Sequence, residues 1–207
     1  MENETILNID KKYVARRIEK ILEMDDFCLS VNYLMSIHKY LFSGILIGAG
    51  SFRKCNLTRK EKILNGDSVK YVDYHRIPLY LGYDFEEEKS VNYNNLDKNE
   101  LVKRIANFSL KIWITHPFRD GNTRTVSVFI QKYFKYLGYV VSDEFFYINS
   151  EYFRNSLALA SYYNSALGIY YNMDLLIKFY DKLLMNDTVK LDIENQYNSK
   201  YMKILKK

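Results

Sequence analysis

Proline and glycine are scarce in this chain, with two and eight copies in 207 residues. Tight-turned β architectures need both, so the shortage favours long helices. Cysteine is scarcer still in meaning: Cys28 and Cys55 form no CxxC pair and no disulfide framework, which points to a reducing, cytoplasmic setting. No apolar run approaches the ~18 residues of a membrane span. The N-terminus carries Glu2, Glu4 and Asp10 and lacks the basic-then-apolar layout of a signal peptide. Internal repeats and low-complexity linkers are missing too, so one domain is expected. Three histidines, at 38, 75 and 116, make no HExxH pair, and there is no Walker A pattern.

What is present is ordinary in amount. The apolar share is 48% and the charged share 27%, enough for a sizeable core. The net charge of +5 suits an anionic ligand without singling one out. Twenty tyrosines spread along the whole chain, whereas a nucleic-acid platform would gather aromatics with Arg and Lys on one face. Neither a nucleic acid nor a membrane is expected as a partner.

The apolar spacing predicts a helix over residues 10 to 24 with Asp10 as its cap, and a second from Ser30 to Phe42. "GILIGAG" ends regular structure there. Ile63 and Leu64, then Asn65-Gly66-Asp67, then Val69, Tyr71 and Val72 read as a β-hairpin. Pro78 would stop the ladder. "FEEEKSVNYNNLDKNE" reads as a polar connector. Leu101, Ile105, Phe108 and Ile112 mark a helix running to about Thr115. Another follows with Val126, Phe129, Ile130, Tyr133, Phe134 and Leu137 on its buried side, stopped at Gly138. Two more are expected near 149 to 163 and 172 to 185, and a terminal helix after them. The expected organisation is an N-terminal helical extension over 1–29, a mainly α-helical domain over 30–185, and a tail over 186–207.

Between the two central helices stands "THPFRDGNTRT", Thr115 to Thr125. A turn needs two or three of those residues; the rest ask for chemistry. A helix N-terminus presents free N–H groups and a positive dipole end, so it binds anions. Gly121 lets backbone approach a phosphate, Asn122 and Thr123 can cap or donate, and Arg124 can form a charge-assisted contact. Asp120 would repel that phosphate unless a cation such as Mg²⁺ lies between them. His116 suits proton removal near neutral pH. These parts make a site for attack by a hydroxyl on a nucleotide phosphate.

"HPFRDGNTR" resembles the signature of the Fic family, H-x-F-x-[D/E]-G-N-[G]-R-x-x-R. "SIHKYLFSGI", "GSFR", the Asn-Gly hairpin and "EYFRNSLALASYYN" follow in that family's order, so the likeness covers roughly residues 30 to 185. The resemblance implies a mainly α fold with a small β-hairpin flap. It also implies a Mg²⁺-dependent protein adenylyltransferase, moving AMP from ATP to a Ser, Thr or Tyr hydroxyl and releasing pyrophosphate. His116 would then be the general base and Phe118 the inward anchor of the loop. Asp120 would hold Mg²⁺, and Gly121 to Thr123 would form an anion hole. Asn122 and Arg124 would touch the α- and β-phosphates, and Tyr152 and Asn155 would lie on the adenine side. Ile63, Leu64, Val69 and Tyr71 would belong to the flap that docks a protein target. That target is unidentified; automodification and a homodimer are both compatible with the family.

Two departures stand out. Thr123 replaces the glycine before the first arginine, where a positive φ would be costly. Ser127 replaces the second arginine, which in the family meets the γ-phosphate and an inhibitory glutamate. "KLDIEN" offers Glu194 as a degenerate version of that glutamate, read here as a solvated helix residue with little to hold. Alternatives stay open: another nucleotidyl- or phosphotransferase on the same fold, or a catalytically weak nucleotide-binding module.

Overall fold

The computed structural model describes residues 2–185 and 190–192, the side chains of 2–10 apart. Among the described residues eight α-helices carry the fold: α1 (Glu2–Glu23), α2 (Val31–Phe42), α3 (Ile77–Lys89), α4 (Lys98–Thr115), α5 (Asn122–Tyr136), α6 (Asp143–Ile148), α7 (Ser150–Ser161) and α8 (Asp174–Leu184). The mainly helical reading holds. Asp10 lies inside α1 rather than capping it, because the helix begins about two turns earlier.

Local chemistry sets the helix ends. The Ser30 side chain accepts from the Tyr33 N–H and starts α2. Asp97 and Glu100 form a reciprocal capping box at the head of α4. The expected polar connector is instead largely helical: Phe85–Lys89 complete α3, and Pro78 occupies its first turn, where no N–H is missed. Charge pairs that periodicity does not reveal tie α3 to α4. Glu88, 1% exposed, accepts from Arg104 Nε at 2.8 Å and from the Tyr93 and Tyr133 hydroxyls, while Glu87 takes Lys111 and Arg104.

α4 is the central element, packed by α3, α5, α7 and α8. Phe85, Phe108, Phe129 and Tyr133 meet on one side of it, and Phe146, Phe153, Phe179 and Tyr180 cluster nearby. The α1 helix lies against α2 and α5, where the buried Lys132 ammonium donates to the Ile21 and Met24 carbonyls near its C-terminal end.

The predicted hairpin is the main correction to the local reading. Lys62–Leu64 form a 3₁₀ turn closed by Asn65 in the left-handed region, and pairing is confined to one antiparallel bridge, Lys60 with Ser68. Leu64 and Val69 are buried, so both anchor the flap to the core instead of lining a strand edge. The Asn65-Gly66 turn is present; the ladder gives way because its apolar side chains find more burial inward than across a two-stranded ribbon. Glu194 and the tail from residue 193 onward lie outside the described residues.

Candidate functional site

The loop between α4 and α5 begins with strain. His116 closes α4 with φ 48 and ψ 57, a left-handed conformation uncommon for a side-chain-bearing residue. Arg53 supports it. The Arg53 guanidinium is buried and donates to the His116 carbonyl at 2.8 Å, to Cys55 at 2.7 Å, to Thr115 at 3.4 Å and to Val72, while its own N–H meets the Pro117 carbonyl at 2.8 Å. One side chain thus stitches the flap to the loop. A lone arginine beside a glycine-rich turn, as in "GSFR", is a weak signal, so the sequence pattern alone does not reveal this role of Arg53.

The His116 ring stacks on Tyr71 at 3.9 Å and meets Trp113 edge-on at 5.8 Å. It is 5% exposed, and its Nδ1 has no hydrogen-bond partner. Burial, with the cations Arg59, Arg53 and Arg154 around it, holds its pKa down at about 3. The imidazole is therefore neutral over the whole working range, with a nitrogen lone pair free to accept a proton.

Phe118 is buried and stacks on the His38 ring at 3.8 Å. His38 accepts from the Gly50 N–H at its Nδ1, so the Nε2 proton donates to the Asp120 carbonyl at 3.0 Å. Gly121 follows with φ 77 as the cap of α5. A Cβ there would lie 2.5 Å from the Phe42 ring, so glycine is required on two grounds.

Asn122 and Thr123 are structural to a degree the sequence did not suggest. The Asn122 amide accepts from the Phe118 N–H at 2.9 Å and donates to its carbonyl at 2.8 Å, closing the loop with a residue that is 3% exposed. Its side chain is spent there; what it offers a ligand is backbone. Thr123 sits in the first turn of α5 at negative φ, so the feared strain does not arise, and its hydroxyl accepts from the Trp113 indole at 2.9 Å. The Arg124 guanidinium lies 4.7 Å over the Phe42 ring.

A cleft opens at this helix end, lined by Arg59, Trp113, His116, Asp120, Gly121 to Arg124, and Arg154. The Asp120 carboxylate is half-exposed, with Oδ1 accepting from the Gly121 N–H at 2.7 Å and standing 3.7 Å from Arg59. A single hard, accessible carboxylate beside an anion-binding helix end fits Mg²⁺ shared with phosphate oxygens, and no group of three or more metal-ligating side chains exists among the described residues. Arg59 and Arg154 were missed by sequence reading. They come from the flap and from α7, and nothing in the local pattern brings them to the motif.

The remaining predicted residues divide. Tyr71 is at the site, under His116, with its hydroxyl 3.4 Å from the Glu61 carboxylate. Ile63 is half-buried on the 3₁₀ turn, and Leu64 and Val69 are in the core. Tyr152 is buried among α7 and α8, stacked on Phe179 and donating to the Leu175 carbonyl at 3.2 Å. Asn155 is partly exposed on α7, and neither it nor Tyr152 lines the cleft. The Ser127 hydroxyl donates back to the Arg124 carbonyl at 2.8 Å, and it too lies outside the cleft lining.

A family model described as the Fic/DOC family matches residues 28–134. The protein adenylyltransferase VbhT of Bartonella schoenbuchensis is 27% identical over 110 residues, a match covering 53% of this chain and 22% of that relative. Among solved structures, the BepC effector of Bartonella tribocorum with bound AMPPNP superposes with a TM-score of 0.69 at 18% identity, over 87% of this chain and 86% of that one. The N-terminal Fic domain of a putative cell filamentation protein from Bartonella quintana, with bound ADP, gives 0.69 at 21%, over 87% and 85%. At these identities the structural likeness carries the fold and nothing finer.

Proposed function

This chain belongs to the Fic/DOC family, and on that footing we propose that it is a protein adenylyltransferase that moves AMP from ATP to a protein hydroxyl. The observation that carries the reading is the meeting, in one cleft, of a buried neutral His116, the N-terminal end of α5 and the Asp120 carboxylate. VbhT, similar over part of its length, is named for this activity, and the BepC structure holds an ATP analogue.

In this reading His116 takes the proton of the target hydroxyl, whose oxygen bonds to the α-phosphorus as the bond to the pyrophosphate oxygen breaks. Backbone N–H groups of Asn122 and Thr123, at the head of α5, hold the oxygens on which charge develops, while that of Gly121 is given to Asp120. Asp120 would hold Mg²⁺, which when bound neutralises the phosphates. Arg59 must then leave Asp120, and the nucleotide's negative charge offers it a new partner. Tyr71 positions the base by stacking, and Lys70, exposed beside it on the flap, marks where a target segment would be presented.

One observation favours a second reading, a weak nucleotide-binding module: Ser127 brings no charge, and Arg59 stands against Asp120. Incubation with ATP and Mg²⁺, followed by intact-mass measurement of this chain and of lysate proteins, separates the two. The expected result is an added AMP that His116→Ala abolishes while ATP binding persists. Equal labelling by wild type and variant would exclude His116 as the base, and no labelling with retained ATP binding would favour the module.

A further inference from the structure

Glu61 is a carboxylate with no route to water: its side chain is 3% exposed. It is held by Arg154, whose Nε lies 3.1 Å and Nη2 3.0 and 3.1 Å from its two oxygens. Tyr71, the ring under His116, also reaches it at 3.4 Å. The arginine is different in kind. Its side chain is 46% exposed and it lines the cleft. A fork held by two of its nitrogens has fixed orientation, and its third, Nη1, makes no hydrogen bond to a described residue. That is how an arginine is set up to receive an anion with little loss of rotamer freedom.

The charge of the cleft points the same way. Arg59, Arg124 and Arg154 face it with Asp120 as the one carboxylate of the lining, Glu61 lying buried behind Arg154. The imidazole of His116 is neutral. Three guanidinia exceed what one phosphate at the α5 end would engage, and they match a chain of phosphates. Meanwhile α5 itself presents Ser127, turned back on the Arg124 carbonyl.

We propose that Arg154 is a polyphosphate-binding residue of this site, supplying from α7 the cation that α5 lacks at position 127, and that Glu61 is its positioning residue. The inference rests on the cleft being a nucleotide site, as proposed above. It makes binding of the nucleotide's outer phosphates depend on the flap, since Glu61 stands at the flap's base beside the Lys60–Ser68 bridge.

Calorimetry with ATP, AMP and inorganic tripolyphosphate, each with Mg²⁺, tests this on wild type, Arg154→Ala, Glu61→Ala and the double variant. Thermal unfolding is run alongside, and the double variant removes the orphaned buried carboxylate that Arg154→Ala creates. Arg154→Ala should weaken ATP and tripolyphosphate by roughly ten- to a hundredfold, the scale of a charge-assisted contact, and AMP by less than about threefold. Glu61→Ala should weaken ATP as well, and the double variant should be no weaker than Arg154→Ala, because Glu61 acts through the arginine. Equal losses for AMP and ATP, or additive losses in the double variant, would overturn the assignment. Wild type that binds ATP and an Arg154→Ala variant that binds it equally well would overturn this inference alone. Wild type that binds neither ATP nor tripolyphosphate would overturn it together with the proposed function.

Discussion

At His116 a neutral ring sits among three arginines, and the consequence is a pH profile. With a pKa near 3 in the free protein, the acid limb of kcat/KM should lie well below the ordinary histidine range. Phosphates bound beside the ring offset the arginines, so the limb of kcat should stand at higher pH than that of kcat/KM. Measured from about pH 4 to 9, kcat/KM should stay nearly flat at the acid end while kcat falls there; two limbs coinciding near 6.5 would mean the ring is solvated in the working enzyme. Gly121 makes the second residue-scale case. Gly121→Ala adds a methyl 2.5 Å from Phe42 at a positive φ. It should cost about 2 kcal/mol or more and weaken nucleotide binding as α5 shifts away from the cleft, read by urea unfolding and ATP titration.

Among the elements, the flap is held by its base rather than by its own ladder. A single bridge would leave it loose, but Arg53 donates to four carbonyls across the flap and loop, and Asp67 at the turn accepts from the Tyr162 hydroxyl at 2.5 Å. Arg53→Met fills similar volume and leaves buried carbonyls unpaired, at about 1 kcal/mol or more each. The expected loss is roughly 3 kcal/mol, seen as a lower urea midpoint, with transfer activity falling further than stability because His116 loses its support. A midpoint within experimental error of wild type would show that water replaces the guanidinium.

For the molecule as a whole, the same histidine links stability to acid. Its folded pKa is depressed, so between about 6.5 and about 3 the unfolded chain binds a proton that the folded chain refuses. The contribution is fully present above the unfolded value and is lost as pH falls through that window, by up to about 5 kcal/mol. Asparagine tolerates the left-handed backbone, so His116→Asn should fold and should lose stability less steeply than wild type from pH 6.5 to 4. Parallel slopes in denaturant titrations would place the acid sensitivity elsewhere.

Much of this protein was written locally. Helix periodicity gave α2, α4, α5, α7 and α8, since apolar stripes at 3.6-residue spacing depend only on neighbours in the chain. The loop from His116 to Arg124 was legible for the same reason: its parts are contiguous, and Gly121 with Pro117 announce a break wherever they fall. The tertiary structure decided what came from afar. Arg59 and Arg154 join the cleft from distant parts of the chain, and Glu61, which holds Arg154, stands 93 residues before it, a distance no spacing rule reaches. It also gave other roles to residues that the family resemblance had singled out. Asn122 turned inward to close its own loop, and Tyr152 went to the core. Burial competes with exposure to ligand, and only packing settles which side wins. The hairpin shows both halves of the division. Asn65-Gly66 fixed the turn, because a left-handed turn is a property of two residues, whereas the ladder depended on where Leu64 and Val69 could bury their side chains, and the core claimed them.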